Sequence, residues 1–424
     1  MRFTRSPEYR WVVLALSFLG VFGALGFGRF GYSAVLPSMQ EALGISSAAA
    51  GSLASWNLAG YTLMAAVGGI LATRLGPRVV ITAGMVVTAA GMLLTGLSGG
   101  LPAASLARLL TGMGNGLVLV PSITLMAAWF DLRQLGLASS IVPTGSSLAL
   151  IIVGPVVPRI IAAGGDEGWR LAWYFFAAIA LCLALVIVVM QRDRPRILTS
   201  AHGETLHPAA PRITAHRRPR AESTSHDLRS ILRSGYAWHL GLVYLAFGLA
   251  FLIYLTFFQT RLISDLGYSS EAAGNLFVLL GVAGLLGGVI WGSVSDRLGR
   301  ERTIVVTLLM AGIASFLFSW PLGTAALIVS ALFFGSTGMV IPGLIGAACG
   351  AHFGPRLASA SLGLVTILVG VGQTLGPFLG GLIDDASSSL GPTYLLAGCV
   401  FVVGAVGALF LGDSRAPRAD VSKT

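Results

Sequence analysis

The sequence predicts an all-α integral membrane protein whose twelve transmembrane helices form two pseudo-symmetric six-helix bundles. Three observations carry this. The 424 residues are 55% hydrophobic and only 10% charged, with a mean hydropathy of +0.83, a balance that a water-soluble globule does not reach. The apolar residues fall into twelve runs, each close to the roughly 20 residues a helix needs to cross a hydrocarbon core about 30 Å thick. The first six runs are echoed by the last six.

The runs lie near residues 11–36, 48–72, 79–97, 101–127, 136–160, 171–190, 237–259, 272–291, 303–320, 323–349, 358–382 and 393–411. Each is read as a helix because only an internally hydrogen-bonded backbone is tolerated in lipid. The first follows Arg2, Arg5 and Arg10 and is too long for the apolar core of a cleaved signal. The sixth and seventh are separated by 191–236, a stretch rich in Arg, His, Ser and Pro with little apolar surface to bury. The expected organisation is therefore a first bundle over 1–190, a basic linker over 191–236, and a second bundle over 237–424 with a short tail.

A net charge of +10 would suggest nucleic acid in a soluble protein, but here the basic residues sit between apolar runs. With both termini on one side, that side collects 22 of them, including nine arginines of the linker, and the other side only Arg159, Arg170 and Arg261. Basic residues next to a span resist translocation. The crowded side is thus read as cytoplasmic, in a bacterial inner membrane. Three cysteines in separate runs and six histidines on or near the basic side give no disulfide framework and no metal site, and no cofactor is expected. Gly26, Gly28 and Gly31 spell G-x-G-x-x-G, but inside an apolar span with no preceding strand they are not a dinucleotide loop.

Shifted by 223 residues, Ala42–Leu53 aligns with Asp265–Leu276 without gaps and with eight identities in twelve. The same offset places Gly69, Arg74 and Gly76 on Gly292, Arg297 and Gly299, and Gly112 on Gly335. Six helices separate the copies, so both have one orientation, a parallel repeat about an axis normal to the membrane. Substrate is expected between the halves.

These residues resemble the major facilitator superfamily over essentially the whole chain. The loop signature between its second and third helices is similar to Gly292, Asp296, Arg297, Gly299 and Arg300 in the second half; in the first half Thr73 stands for the aspartate and Pro77 for an arginine. Arg108, Gly112 and Gly114 resemble the R-x3-G-x-G pattern of helix four, and Gly363, Gly372, Gly376, Pro377, Gly380 and Gly381 in helix eleven resemble the antiporter glycine-proline motif, which normally marks helix five. Gly28-Arg29-Phe30-Gly31-Tyr32 with Leu36-Pro37 is similar to the YbfB-like bacterial branch, with a more distant likeness to oxalate/formate and monocarboxylate carriers. The resemblance implies alternating access, with helices one, four, seven and ten lining the path. The gating elements it implies are Gly69, Arg74, Gly76, Gly292, Asp296, Arg297, Gly299, Arg300, Gly376 and Pro377.

Two arginines lie within spans, and each would cost about 2.5 to 3.5 kcal/mol facing lipid at mid-span. At α-helical spacing Arg29 shares a face with Tyr32 and Ser33, and Arg108 with Thr111, Gly112 and Asn115. All 17 acidic residues fall in loops, tails or helix ends. A buried guanidinium without a carboxylate calls for an anion, which it matches bidentately; the bland alternative is that Arg108 bonds helix carbonyls and Arg29 snorkels outward. Asn57, Tyr61, Tyr254, Gln259 and Gln373 are the further polar candidates, with Tyr61, Tyr254 and Gln373 ranked first, though interhelical bonding would also place them. The expected activity is secondary transport of a small organic anion by a monomer in the bilayer, with no enzymatic step and no nucleic acid. The alternatives are an exporter of hydrophobic compounds walled by Phe247, Phe251, Tyr254, Phe257 and Phe258 of helix seven, and a sensor signalling through 191–236.

Overall fold

The computed structural model describes residues 8–194, 198–199, 205–206 and 230–411. Twelve helical spans run in order: α1 Tyr9–Leu43, α2 Ser47–Leu75, α3 Pro77–Leu97, α4 Leu101–Trp129, α5 Gly145–Gly164, α6 Gly168–Met190, α7 Gly235–Thr256, α8 Ser270–Leu298, α9 Arg300–Ser319, α10 Thr324–Phe353, α11 Ser361–Ser387 and α12 Gly391–Leu409. By length and apolarity ten stretches qualify as spans, or eleven with α2 counted as one bent helix. One stretch of 54 residues, 137–190, would be about 80 Å long as a single helix, far more than one crossing. It turns back at Gly165–Glu167, where Gly165 takes φ +54°, and so supplies both α5 and α6. Most of the linker lies outside the described residues; within it Leu198–Thr199 pairs antiparallel with Thr205–Leu206.

The repeat is visible in local physics. Ser46 caps α2 by accepting from the Ala49 N–H, and Ser269, 223 residues on, caps α8 by accepting from Ala272. Gly76 and Gly299 end α2 and α8 with φ +87° and +90°, values that a side chain strains to reach. A Cβ on Gly112 would lie 1.8 Å from the Asn57 carbonyl, and one on Gly335 would lie 2.4 Å from that of Leu280, the same pair one repeat later. Small residues here let α4 touch α2, and α10 touch α8, backbone to backbone.

The halves meet through α2 against α11 and α5 against α8. These contacts concentrate away from the Arg-rich loops. Asp385 of α11 accepts hydrogen bonds from the backbone N–H groups of Ser47 (2.8 Å) and Ala48 (2.9 Å) at the start of α2. Ser55 donates to the Thr374 carbonyl at 2.5 Å. Cβ atoms on Gly51 and Gly381 would lie 2.0 Å from the Pro377 and Ser47 carbonyls, and Gly154 and Gly274 approach each other's backbone as closely. Toward the basic face, hydrogen bonds among the described residues include Arg78 to the Val188 carbonyl and Arg300 to that of Ala347, each within one half. There Val289, Ile70 and Ile367 are exposed, and Cβ atoms on Gly288, Gly292 and Gly363 would meet nothing within 4 Å. The contacts between the halves thus lie toward the face away from the basic loops.

Two boundaries differ from the sequence reading. Residues Ile341–Ser387 are helical throughout, including the loop expected before helix eleven, and α1 extends past Leu36 to Leu43, with Pro37 inside the helix.

Candidate functional site

Helix α1 is not α-helical throughout. Phe22–Phe30 forms wider π turns, a feature concentrated at functional sites because it re-aims side chains and leaves backbone groups in need of partners. The segment carries three glycines, Gly23, Gly26 and Gly28, packed against Leu183, Ala149 and Thr111. Its last turn carries Arg29.

The polar stripe of α4 serves this segment. Arg108 is 1% exposed and donates from Nη1 to the Gly28 carbonyl at 2.6 Å. Its guanidinium lies 4.6 Å from the ring centre of Tyr32 and 5.1 Å from that of Trp173, a cation–π setting that compensates a buried cation. Oriented to satisfy its neighbours, the Asn115 amide donates to the carbonyls of Ala24 and Thr111 at 3.1 Å and to Thr88 Oγ1 at 3.3 Å. Asn57 donates to the Arg108 carbonyl at 3.2 Å. Tyr32 is buried, and its hydroxyl donates to the Ala50 carbonyl at 2.7 Å. Arg108, Asn115, Asn57 and Tyr32 therefore form an internal brace of the first half.

Arg29 has a different setting. Its guanidinium lies 5.3 Å from the ring centre of Phe30 and 5.5 Å from that of Tyr61 on α2. Thr62, next to Tyr61, meets Gly370 of α11, where a Cβ would lie 3.0 Å from its side chain, which puts Arg29 close to where the two halves face each other. Nε and Nη2 are both enclosed without a hydrogen-bond partner. These two nitrogens form one edge of the guanidinium, with parallel N–H groups that match the two oxygens of a carboxylate.

Of the residues expected on one face with Arg29, Tyr32 lies beside the Arg108 guanidinium, and Ser33 is buried with its hydroxyl unpartnered. Tyr32 joins Arg108, and the two guanidinium groups have no ring neighbour in common. Tyr244 of α7 was not among the residues singled out from the sequence. It is mostly buried, and its hydroxyl has no hydrogen bond among the described residues. One helical turn on, a Cβ at Gly248 would lie 3.1 Å from Gln373 Cγ, so the half-buried Gln373 of α11 borders the same face of α7.

The remaining candidates are engaged elsewhere. Tyr254 is fully buried, its hydroxyl bonded to Ser330 Oγ at 2.6 Å and its ring stacked 3.6 Å from Phe334. Gln259 donates to the Ala273 carbonyl at 3.3 Å and lines a cleft of about 540 Å³ at the face away from the basic loops, with Gln40, Glu41, Thr260 and Asp384. Phe247, Phe251, Phe257 and Phe258 are buried, Phe247 against Phe401 and Phe251 against Phe334, so they fill the second half's core and form no open wall.

Of the gating residues, Gly76 abuts Asp193, whose carboxylate accepts from the Arg78 N–H at 2.6 Å. Gly69 faces Val120, while Arg74 and Arg297 are exposed and Gly292 is open. Gly376 packs on the Leu249 carbonyl, and the Pro377 carbonyl abuts Gly51. The Asp296 side chain lies outside the described residues. Among the described residues no cluster of His, Cys, Asp or Glu is arranged to hold a metal ion.

The chain is similar to the "Probable sulfoacetate transporter SauU" of Cupriavidus necator, at 24% identity covering 90% of this chain and 89% of that one. It is similar to the 4-hydroxybenzoate transporter PcaK of Pseudomonas putida at 26% identity, covering 88% and 85%, and to the hexuronate transporter of Bacillus subtilis at 24%, covering 91% and 90%. Among solved structures, the D-xylose-proton symporter superposes with a TM-score of 0.74 at 18% identity over 96% of this chain and 99% of that one. An inward-facing bacterial homologue of the human lysosomal transporter Spinster gives 0.71 at 16%, over 96% of each chain. The sequence profile of the Major Facilitator Superfamily matches residues 16–367 and 260–424. With twelve spans in two repeated halves, and a profile match over nearly its whole length, the chain belongs to the Major Facilitator Superfamily and is a multi-pass membrane transporter, not an enzyme.

Proposed function

We propose that the chain is a secondary transporter that carries a small organic anion across the bacterial inner membrane by alternating access, as a monomer with both termini cytoplasmic. The observation that carries this is the enclosed Nε/Nη2 edge of Arg29, which has no hydrogen-bond partner and no ion pair among the described residues. A charge in that setting is stabilised best by an ion of opposite sign that brings two acceptor oxygens. Relatives named for sulfoacetate, 4-hydroxybenzoate and hexuronate support the anionic class. In this reading Arg29, Tyr61, Tyr244 and Gln373 bind substrate, and the α2–α11 and α5–α8 seams are the surfaces about which the halves rock, bounded near residues 190 and 237.

The test is flux of radiolabelled carboxylates into proteoliposomes. Arg29→Gln should lower uptake by a loss of transition and ground-state binding on the order of 2 to 5 kcal/mol, as for other buried charge pairs missing one partner, while folded protein remains in the membrane. Uptake equal to wild type would refute the assignment.

A further inference from the structure

We infer that the cleft of about 540 Å³ at the face away from the basic loops is a binding site for a small organic ammonium ion, separate from the Arg29 site and independent of the anion reading.

Its charge comes from acids of both halves. Among the described residues Glu41, Asp265 and Asp384 line the cleft, and no arginine, lysine or histidine does. Asp265 is engaged, paired with Arg261 at 2.7 Å and accepting from the Leu390 N–H at 2.7 Å. Glu41 at the end of α1 and Asp384 on α11 form no ion pair among the described residues. Arg159, beside the lining Pro158, is exposed and does not line the cleft. Glu41 and Asp384 thus leave the cleft with an excess of negative charge, and a recess lined by one sign of charge concentrates ions of the other.

A second observation concerns acceptors without donors. Thr260 is 5% exposed and lines the cleft, yet its hydroxyl has no hydrogen-bond partner among the described residues. Gln40 spends its amide N–H on Ser47 Oγ at 3.0 Å, which leaves its Oε1 enclosed and unpartnered. Polar atoms buried in this way cost free energy that a ligand's donors recover. A primary ammonium brings three N–H donors and no acceptor, which suits carboxylates, an amide carbonyl and a hydroxyl lone pair alike. A bare calcium ion fits less well, since it gathers about six to eight oxygens, and no cluster of three acids among the described residues supplies them. Pro37, Ile45, Pro158, Ile161 and Ile263 form the apolar remainder of the wall, along which a hydrocarbon stem can lie while its charged head stays with the acids. The volume falls within the roughly 300 to 1,000 Å³ of small-molecule sites. Because Gln40 and Glu41 belong to the first half and Thr260 and Asp384 to the second, an occupant spans the junction between them.

The test is ligand-dependent thermal stability of the purified full chain at constant ionic strength, with n-butylammonium as the probe and n-butanol, tetramethylammonium and calcium as comparisons. Butylammonium should raise the melting temperature, and its apparent affinity should fall at least about tenfold in Glu41→Gln and in Asp384→Asn. Glu41 is exposed, so its substitution leaves the fold intact even where that of Asp384 does not. Butanol lacks the charge and tetramethylammonium lacks the N–H donors, so neither should reproduce the shift. In a cysteine-free background, butylammonium should also slow alkylation of Ser38→Cys, a position on the cleft wall. No shift with butylammonium, an equal or larger shift with any comparison, a shift undiminished in Glu41→Gln, or an unprotected Ser38→Cys would each overturn the inference. None of these outcomes bears on Arg29 or on the anion it is proposed to bind.

Discussion

Arg108 donates to the Gly28 carbonyl at 2.6 Å and lies over Tyr32 and Trp173, so its replacement should be felt as instability. Arg108→Gln leaves the wide turns of α1 short of a donor, at a cost of about 1 to 3 kcal/mol for a buried group left unsatisfied. The melting temperature should fall while the protein that stays folded keeps its affinity for carboxylates; a normal melting temperature with lost affinity would contradict this. Arg29→Gln should do the opposite, keeping or raising the melting temperature of the ligand-free protein, because it removes a buried charge that nothing among the described residues pairs. In the sequence the two arginines read alike, both within spans and both without a nearby acid. What separates them is the packing around each guanidinium, Arg108 on the Gly28 carbonyl and two rings, Arg29 with its Nε and Nη2 unpartnered, and no residue type announces that. Tyr61 and Gln373 were legible as polar groups inside apolar helices. Tyr244, midway along α7, was not singled out, since sequence alone does not tell which polar groups of a helix face the other half.

At the scale of elements, helix spans were read well, because apolar length follows directly from the physics of lipid; the serine caps of α2 and α8 were passed over. The gating motifs were read by likeness, and packing now sorts them. Gly112→Ala places a Cβ on the Asn57 carbonyl and should destabilise by about 1 to 3 kcal/mol, as overpacking does. Gly292→Ala meets nothing and should stay within about 0.5 kcal/mol of wild type. Similar melting temperatures for these two variants would contradict the packing account. The contact that sequence reading passed over is Asp385, an acid at the end of α11 that looked like a loop charge and instead receives two N–H groups of α2. A carboxylate there gains both hydrogen bonds and the positive end of the helix. Asp385→Asn should therefore open the face away from the basic loops. In a background lacking Cys182, Cys349 and Cys399, a cysteine at Ser38, which lines the cleft on that face, should be alkylated about tenfold faster, equivalent to 1.4 kcal/mol. An unchanged rate would show that the carboxylate does not hold the face closed.

For the whole molecule, the two-fold repeat was the most legible feature, since an unbroken offset of 223 residues recurs in caps, end glycines and helix contacts. The relation between halves was not legible, because closure at the face away from the basic loops depends on contacts between residues more than 300 positions apart. Joining Ser55→Cys to Thr374→Cys across the α2–α11 seam should stop transport and leave carboxylate binding intact, with flux restored on reduction; undiminished flux in the linked protein would mean that the seam does not open during turnover. Arg29 has one more consequence at this scale. A carrier whose binding centre holds one unbalanced positive charge travels charged when empty and neutral when loaded with a monoanion. An inside-negative potential then acts on the empty return step, with up to about 2.3 kcal/mol per 100 mV for a full charge moved, and not on the loaded one. Net anion entry should be electrogenic and slowed by the potential, whereas anion-for-anion exchange, which never requires the empty return, should proceed at a rate indifferent to voltage.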